Sequence, residues 1–137
     1  MIITFPPDVL KYNVELVDQK DIAHLIDASQ KEGILPSKRV QYMVLKEDDE
    51  IKAIGGFIIK GKTALLKGDY TPEPLRQKGY GKKLLSARMY YVYSQFKVRK
   101  VTAHCTTMSV NLYKDLGFKE VQTYKNGITS VEHSFYF

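Results

Sequence analysis

Eight consecutive residues, Arg76-Gln77-Lys78-Gly79-Tyr80-Gly81-Lys82-Lys83, combine four cationic side chains with two glycines. A strand-like run, Thr63 to Tyr70, leads into them, and an amphipathic helix from about Gly81 to Phe96 leaves them. A glycine-bearing turn that opens a helix is suited to binding anions. The first-turn N–H groups have no intrahelical acceptor, and the helix dipole adds partial positive charge there. Gly79 and Gly81 let backbone approach a ligand where a Cβ would obstruct it. The expected guest is a phosphate or pyrophosphate. The pattern R-x-x-G-x-G is neither a P-loop, which would continue Gly-Lys-Ser/Thr, nor a dinucleotide-binding G-x-G-x-x-G. Taken alone, the segment equally fits an ordinary strand-to-helix turn with a solvated basic face.

The elements that must position this loop follow from periodicity. Asn13 to Val17 reads as a first strand. Asp18 is a good helix N-cap with Asp21 in the manner of a capping box, and Ile22, Leu25, Ile26 and Ser29 fall on one helical face that ends at Gly33. Residues 1 to 11 form a lead-in broken by Pro6 and Pro7, and Pro36 lies in a short connection. Gln41 to Lys46 and Ile51 to Lys60 are strands joined by an acidic turn, Glu47-Asp48-Asp49-Glu50. Gly55-Gly56 inside the second strand predicts a bulge or a close backbone approach. Gly61-Lys62 turns into Thr63 to Tyr70, and Thr71-Pro72-Glu73-Pro74 stops that strand. In the next helix Leu85, Met89, Val92 and Phe96 are expected to face the core, widened by Leu84 and Tyr91. Arg99 to Cys105 is a strand, parallel to Thr63–Tyr70 because a helix connects them. Met108 to Leu116 is a helix closed by Gly117. Phe118 to Tyr124 and Ile128 to Phe137 are strands joined across Lys125-Asn126-Gly127, with Val131, His133, Phe135 and Phe137 on one face. The order β-α-β-β-β-α-β-α-β-β predicts a mixed sheet with helices packed on it, a single α+β domain over residues 1–137.

Composition bounds the chemistry. The 137 residues are 44% hydrophobic and 26% charged, enough for one core. No apolar run approaches a membrane span, and the N-terminus lacks the pattern of a signal peptide, so a cytoplasmic protein is expected. One cysteine, Cys105, excludes an internal disulfide, and with three histidines it argues against a structural zinc site. The net charge is +6 with a pI near 9.3, concentrated between Lys60 and Lys100. Such a field suits a polyanionic small ligand or a nucleic acid.

The element order, together with two motifs, resembles the GNAT superfamily of acyl-coenzyme A-dependent N-acyltransferases. Arg76-Gln77-Lys78-Gly79-Tyr80-Gly81 matches that family's Q/R-x-x-G-x-G/A pyrophosphate loop. Asn111-Leu112-Tyr113-Lys114-Asp115-Leu116-Gly117-Phe118 is similar to its late helix, with leucine-tyrosine, three residues and glycine-phenylalanine. The resemblance implies acetyl-CoA, or another short acyl-CoA, as co-substrate without a metal, and a primary amine as acceptor. It implies a sheet splayed open after the strand ending near Tyr70, with the pantetheine arm paired to backbone around Asp69, Tyr70 and Thr71. Arg76 and the N–H groups of Gln77, Lys78, Gly79, Tyr80, Gly81 and Lys82 would hold the pyrophosphate. Tyr113 would sit near the thioester sulfur. Thr106 and Asn111 of the late helix are assigned to the cofactor arm. Many relatives carry an asparagine where this chain has Thr106, with Ser109 at the following small site, so a hydrogen bond to the arm is in question while the helix cap is not.

Those roles agree with the chemistry. Aminolysis of a thioester needs a neutral amine, a stabilised oxyanion and a protonated leaving thiol. A Tyr113 phenol is protonated at neutral pH and can donate to the thiolate. Base candidates are Asp69 near the splay and His104 at the end of the neighbouring strand, ahead of Glu73. Cys105 reads as a buried apolar residue rather than a nucleophile. Two alternatives compete with the transferase: a non-catalytic acyl-CoA binder, and a nucleic-acid module built on the basic window with Tyr80, Tyr90, Tyr91 and Tyr93. The absence of a nucleic-acid-binding signature argues against the latter. No acidic cluster marks a polyamine pocket, the acidic turn reading as a solvated hairpin tip. A homodimer through the terminal strand is compatible with the sequence.

Overall fold

A computed structural model describes residues 13–35 and 37–135; the lead-in at 1 to 11, Pro36 and Phe137 lie outside them. The elements follow the expected order: β1 (Asn13–Val17), α1 (Ala23–Lys31), β2 (Gln41–Glu47), β3 (Glu50–Lys60), β4 (Thr63–Tyr70), α2 (Tyr80–Phe96), β5 (Lys100–Cys105), α3 (Val110–Asp115), β6 (Lys119–Thr123) and β7 (Thr129–Ser134). The strands form one seven-stranded mixed sheet in the order β1-β2-β3-β4-β5-β7-β6. Every neighbouring pair is antiparallel except β4 with β5, whose parallel pairing the crossover helix α2 makes possible. The fold class is the α+β arrangement that the periodicity predicts.

Turn chemistry sets the registers. Asp48 and Asp49 take φ of 54° and 62°, so the acidic turn is a tight two-residue hairpin that pairs Glu47 with Glu50. The Asn126-Gly127 hairpin closes over three residues, with Tyr124 N bonded to Ile128 O at 2.8 Å and Asn126 Oδ1 accepting from Ile128 N at 3.1 Å.

Side chains alternate between two cores. One face packs Met43, Leu45, Phe57, Ala64, Leu66, Val101, Ala103 and Val131 under α2 and α3. The opposite face packs Tyr42, Val44, Ile54 and Ile58 with Ile22 and Ile26 on the α1 side.

The structure departs from the sequence expectations at two helices. Asp18 opens a 3-10 turn, Gln19–Ile22, before α1, and its side chain caps nothing; its carbonyl accepts from Asp21 N instead. The buried residues of α2 are Leu84, Leu85, Ala87, Arg88 and Val92, whereas Phe96 is exposed and Met89 only half-buried. The true stripe is thus rotated about the helix axis, and it contains an arginine.

Candidate active site

The site begins with a bulge. Ala64 and Leu66 point to the α2 face and Leu65 to the α1 face. Strict alternation would send Asp69 to the α1 face. Between the pairs Ile54↔Tyr70 and Gly56↔Lys67, however, two residues of β4, Gly68 and Asp69, stand opposite Gly55 alone. This extra residue reverses the alternation. Gly68, at φ 79°, backs onto Tyr42, where a Cβ would lie 2.8 Å from the Tyr42 hydroxyl. Asp69 therefore turns to the α2 face and Tyr70 packs on the opposite core.

There Asp69 meets Arg88. The guanidinium forms a two-pronged pair with the carboxylate, Nη1 to Oδ1 and Nη2 to Oδ2, each at 2.7 Å. Nη1 also donates to the Gly56 carbonyl at 3.0 Å, and Nη2 lies 3.4 Å from the Tyr113 hydroxyl. Arg88 is 1% exposed, and space for it exists because residue 55 is glycine: a Cβ there would sit 2.8 Å from Arg88 Cζ. The close backbone approach expected of Gly55-Gly56 is filled by a side chain. Neither Arg88 nor its partnership with Asp69 was singled out from the sequence, where it counted only as one charge of the basic window. The available signal was its spacing, four residues from both Leu84 and Val92 on the apolar stripe.

Tyr113 completes the group by donating its hydroxyl proton to Asp69 Oδ2. Its placement explains the Tyr113-x3-Gly117-Phe118 spacing. Phe118 N bonds to Tyr113 O at 3.2 Å and Gly117 N to Lys114 O at 3.0 Å, a Schellman closure whose left-handed residue is Gly117 at φ 93°. Phe118 then packs edge-on against the Tyr113 ring, centroids 5.1 Å apart, pinning it from the side. Burial first, and the Asp69 charge second, raise the Tyr113 pKa well above that of a free phenol, while Arg88 acts in the opposite sense. Burial would lower the Arg88 pKa, but Asp69 and Tyr113 more than offset this and the guanidinium stays charged.

The sheet opens at the β4 segment that carries Asp69. The β4–β5 ladder ends at Leu66↔Ala103, yet β5 remains paired to β7 through Cys105↔Thr129. Residues 67–70 of β4 therefore run on without a β5 partner. The opening starts at Lys67, earlier than the end of the strand near Tyr70 where it was expected. An extended ligand arm fits this edge by taking the place that β5 vacates.

The basic loop lies just beyond. Gln77 and Gly79 adopt φ of 64° and 84°, Gly79 is the N-cap residue of α2, and Gly81 and Lys82 precede the first intrahelical bond, Lys83 N to Gly79 O. Backbone donors at a helix start are thus arrayed as an anion requires. A Cβ on Gly79 would meet only Lys83 Nζ at 3.6 Å, so the space over the loop is open. Two side chains are committed elsewhere. Arg76 pairs with Glu32 at 2.5 Å, donates to the Thr71 carbonyl at 2.8 Å and stands over the Tyr70 ring. The Tyr80 hydroxyl donates to Glu47 at 3.1 Å. Lys78 and Lys82 are exposed.

No hydrogen bond joins His104, Thr106 or Asn111 to Asp69, Arg88 or Tyr113 among the described residues. His104 is exposed on the face opposite Ala103 and Cys105, its Nδ1 2.9 Å from the Ser130 hydroxyl, so it does not join Asp69 and Tyr113. Thr106 and Ser109 form a reciprocal capping box: Ser109 N donates to Thr106 Oγ1 at 3.3 Å and Thr106 N to Ser109 Oγ at 3.1 Å. Asn111 is exposed on α3. Cys105 is 1% exposed, and burial pushes its thiol up to about 11. A separate open cleft of about 560 Å³ is bordered by His24, Asp49, Glu50 and Pro72; none of Asp69, Arg88 and Tyr113 lines it.

A family model described as the acetyltransferase (GNAT) domain matches residues 12–136. The chain belongs to the GNAT acetyltransferase family. No curated protein sequence matches it significantly. Solved structures share the fold at low identity. A Klebsiella pneumoniae protein assigned as an acyl-CoA N-acyltransferase aligns over 93% of this chain and 99% of its own, with TM-score 0.76 and 16% identity. The spermidine/spermine N-acetyltransferase SpeG of Vibrio cholerae covers 90% of this chain and 94% of its own, with TM-score 0.75 and 12% identity. A GNAT acetyltransferase of Elizabethkingia anophelis, solved with acetyl-CoA bound, covers 92% of this chain and 99% of its own, with TM-score 0.73 and 13% identity.

Proposed function

We propose that this protein transfers an acetyl or other short acyl group from coenzyme A to a primary amine, directly and within a ternary complex. The observation that carries the reading is the opening between β4 and β5, with the Tyr113 hydroxyl bridging it and the α2 N-terminus at its outer end. The unpaired edge at residues 67–70 supports a site for the pantetheine arm, and the backbone from Gln77 to Lys82 one for the pyrophosphate, with Lys78 and Lys82 adding charge. The amine nitrogen attacks the thioester carbon, the C–S bond breaks, and the proton lost by the amine balances the one gained by the thiol. N–H groups of the open β4 edge are suited to the developing oxyanion. Tyr113 supplies the thiolate proton by rotating its O–H from Asp69 to sulfur. Arg88 stays on Asp69, so the carboxylate does not lose its partner during that rotation.

Direct transfer is favoured because the one cysteine is buried and held protonated, which disfavours an acyl-enzyme. Asp69 serves as partner to Arg88 and Tyr113, so deprotonation of the incoming ammonium falls to solvent or to His104 on the other face. The acceptor is an amine; a polyamine, as named for the Vibrio cholerae structure, is one class to test. The commitment of the Tyr113 proton to Asp69 also favours a second reading, an acyl-CoA binder without turnover.

The test is thiol release from acetyl-CoA against a panel of a polyamine, a lysine peptide and an amino sugar. Turnover with at least one amine, falling about 10²-fold or more in Tyr113→Phe with acetyl-CoA affinity retained, is expected. Binding without turnover across the panel would support the second reading.

A further inference from the structure

We infer that Arg88 is a positioning residue for this reaction, acting through Asp69 to set the direction in which the Tyr113 hydroxyl points. The inference rests on the acyltransferase reading above and deepens it. Stability alone does not account for Arg88. An ion pair that takes its cation out of water is weak support for a fold: the Arg88 side chain is 1% exposed and that of Asp69 30%, so desolvation of the guanidinium offsets much of the attraction. Here the arrangement is costlier still, since Arg88 Nε is buried without a hydrogen-bond partner among the described residues. A leucine or methionine at the middle of this apolar stripe, between Leu84 and Val92, would pack without that cost.

The surroundings are shaped around the guanidinium. Gly55 removes the Cβ that would collide with Cζ, Gly56 offers its carbonyl to Nη1, and the β4 bulge turns Asp69 toward it. Three separate strand features therefore converge on a group that touches neither surface nor loop. With both carboxylate oxygens held by the two prongs, Asp69 Oδ2 has one fixed position from which to accept the Tyr113 proton. Nη2, 3.4 Å from the phenol oxygen, is also placed to stabilise the phenolate that remains after proton donation. A lysine would keep the charge but could not hold both oxygens in a plane.

The experiment is a double-mutant cycle on kcat with the best amine of the panel. Arg88→Lys is made in the wild-type and in the Tyr113→Phe background, with acetyl-CoA affinity and thermal unfolding measured on each. Arg88→Met serves if the lysine variant does not fold. If Arg88 works through the Tyr113 hydroxyl, Arg88→Lys lowers kcat about tenfold or more in wild type, leaves acetyl-CoA affinity within about threefold, and changes kcat less than about twofold in Tyr113→Phe. An equal loss in both backgrounds, or an unchanged kcat in wild type, would overturn the inference and leave the acyltransferase reading intact. Wild-type protein that turns over no amine would overturn both.

Discussion

Tyr113 holds its proton because burial and the Asp69 carboxylate act on one hydroxyl, while Phe118 packs against the ring that carries it. After burial, the Asp69 charge is the largest influence raising its pKa, and the residue keeps Arg88 as the opposing influence. In Asp69→Asn the Tyr113 pKa must therefore fall. The alkaline limb of the kcat–pH profile is expected at lower pH in that variant than in wild type, with a lower plateau because Tyr113 loses its fixed acceptor. An alkaline limb that stays in place would show that Tyr113 does not set it. Tyr113 stands out by its spacing to Gly117-Phe118, and Asp69, as a base candidate, by its place near the expected splay; that the two share a hydrogen bond is read only from the fold. Arg88 was not legible, because a single arginine among the eleven basic residues from Lys60 to Lys100 reads as solvated charge until its helix face is known. His104 was legible only as a titratable group near a strand end; alternation along β5 puts it on the other face, and that phase depends on which side Ala103 and Cys105 occupy.

The elements carry two further expectations. Gly55→Ala would place a Cβ 2.8 Å from Arg88 Cζ, against a side chain already fixed at both Nη atoms. The variant should lose about 1–3 kcal/mol in denaturant unfolding and lose kcat with it, because Arg88 must shift to admit the methyl. The same change at an exposed strand end would cost little. The pair between Arg76 and Glu32 ties the basic loop to the C-terminal end of α1 with a cation the loop would otherwise present. Glu32→Ala should leave the melting temperature nearly unchanged and tighten acetyl-CoA binding up to about fivefold, the range of a partly exposed ion pair. Weaker binding would mean that Glu32 orders the loop rather than competing for its charge. Element order and most strand limits were legible, since period-two and helical patterns and turn residues agreed. The β4 bulge was not. Gly55-Gly56 marks an irregularity on β3 and Gly68 interrupts β4, but neither says that the extra residue falls on β4, a shift that exists only relative to Gly55 on the neighbouring strand.

Across the whole molecule, folding redistributes the charge that the composition reports. Of the +6 excess, Arg88 is buried against Asp69 and Arg76 is paired with Glu32, so the basic window is narrower than its residue count. The tyrosines that could stack on bases are also occupied: Tyr80 bonds to Glu47, Tyr91 packs on Phe57 and Tyr93 on Phe135, leaving Tyr90 largely exposed. No helix among the described residues is long and apolar enough to cross a membrane. The folded state has raised pKa values at Cys105 and Tyr113, so it binds those protons more tightly than the unfolded chain. The Cys105 contribution is fully present below the free thiol value of 9.0 and is lost as pH rises toward about 11, whereas that of Tyr113 begins to be lost only above the free phenol value of 10.0. The melting temperature should fall across that window in wild type and fall less steeply in Cys105→Ala; parallel slopes would remove Cys105 from the account.

The proposal of an acyl-CoA site on the Gln77 to Lys82 loop is tested most directly by calorimetric titration of acetyl-CoA into wild type, Gly79→Trp and Gly61→Trp. Both glycines have positive φ, 84° and 59°, and neither faces a crowded neighbour, so the two variants carry comparable backbone strain while only one covers the loop. Saturable binding by wild type and Gly61→Trp, lost in Gly79→Trp, is the predicted result. Equal binding by all three, or none by folded wild type at millimolar ligand, would contradict it.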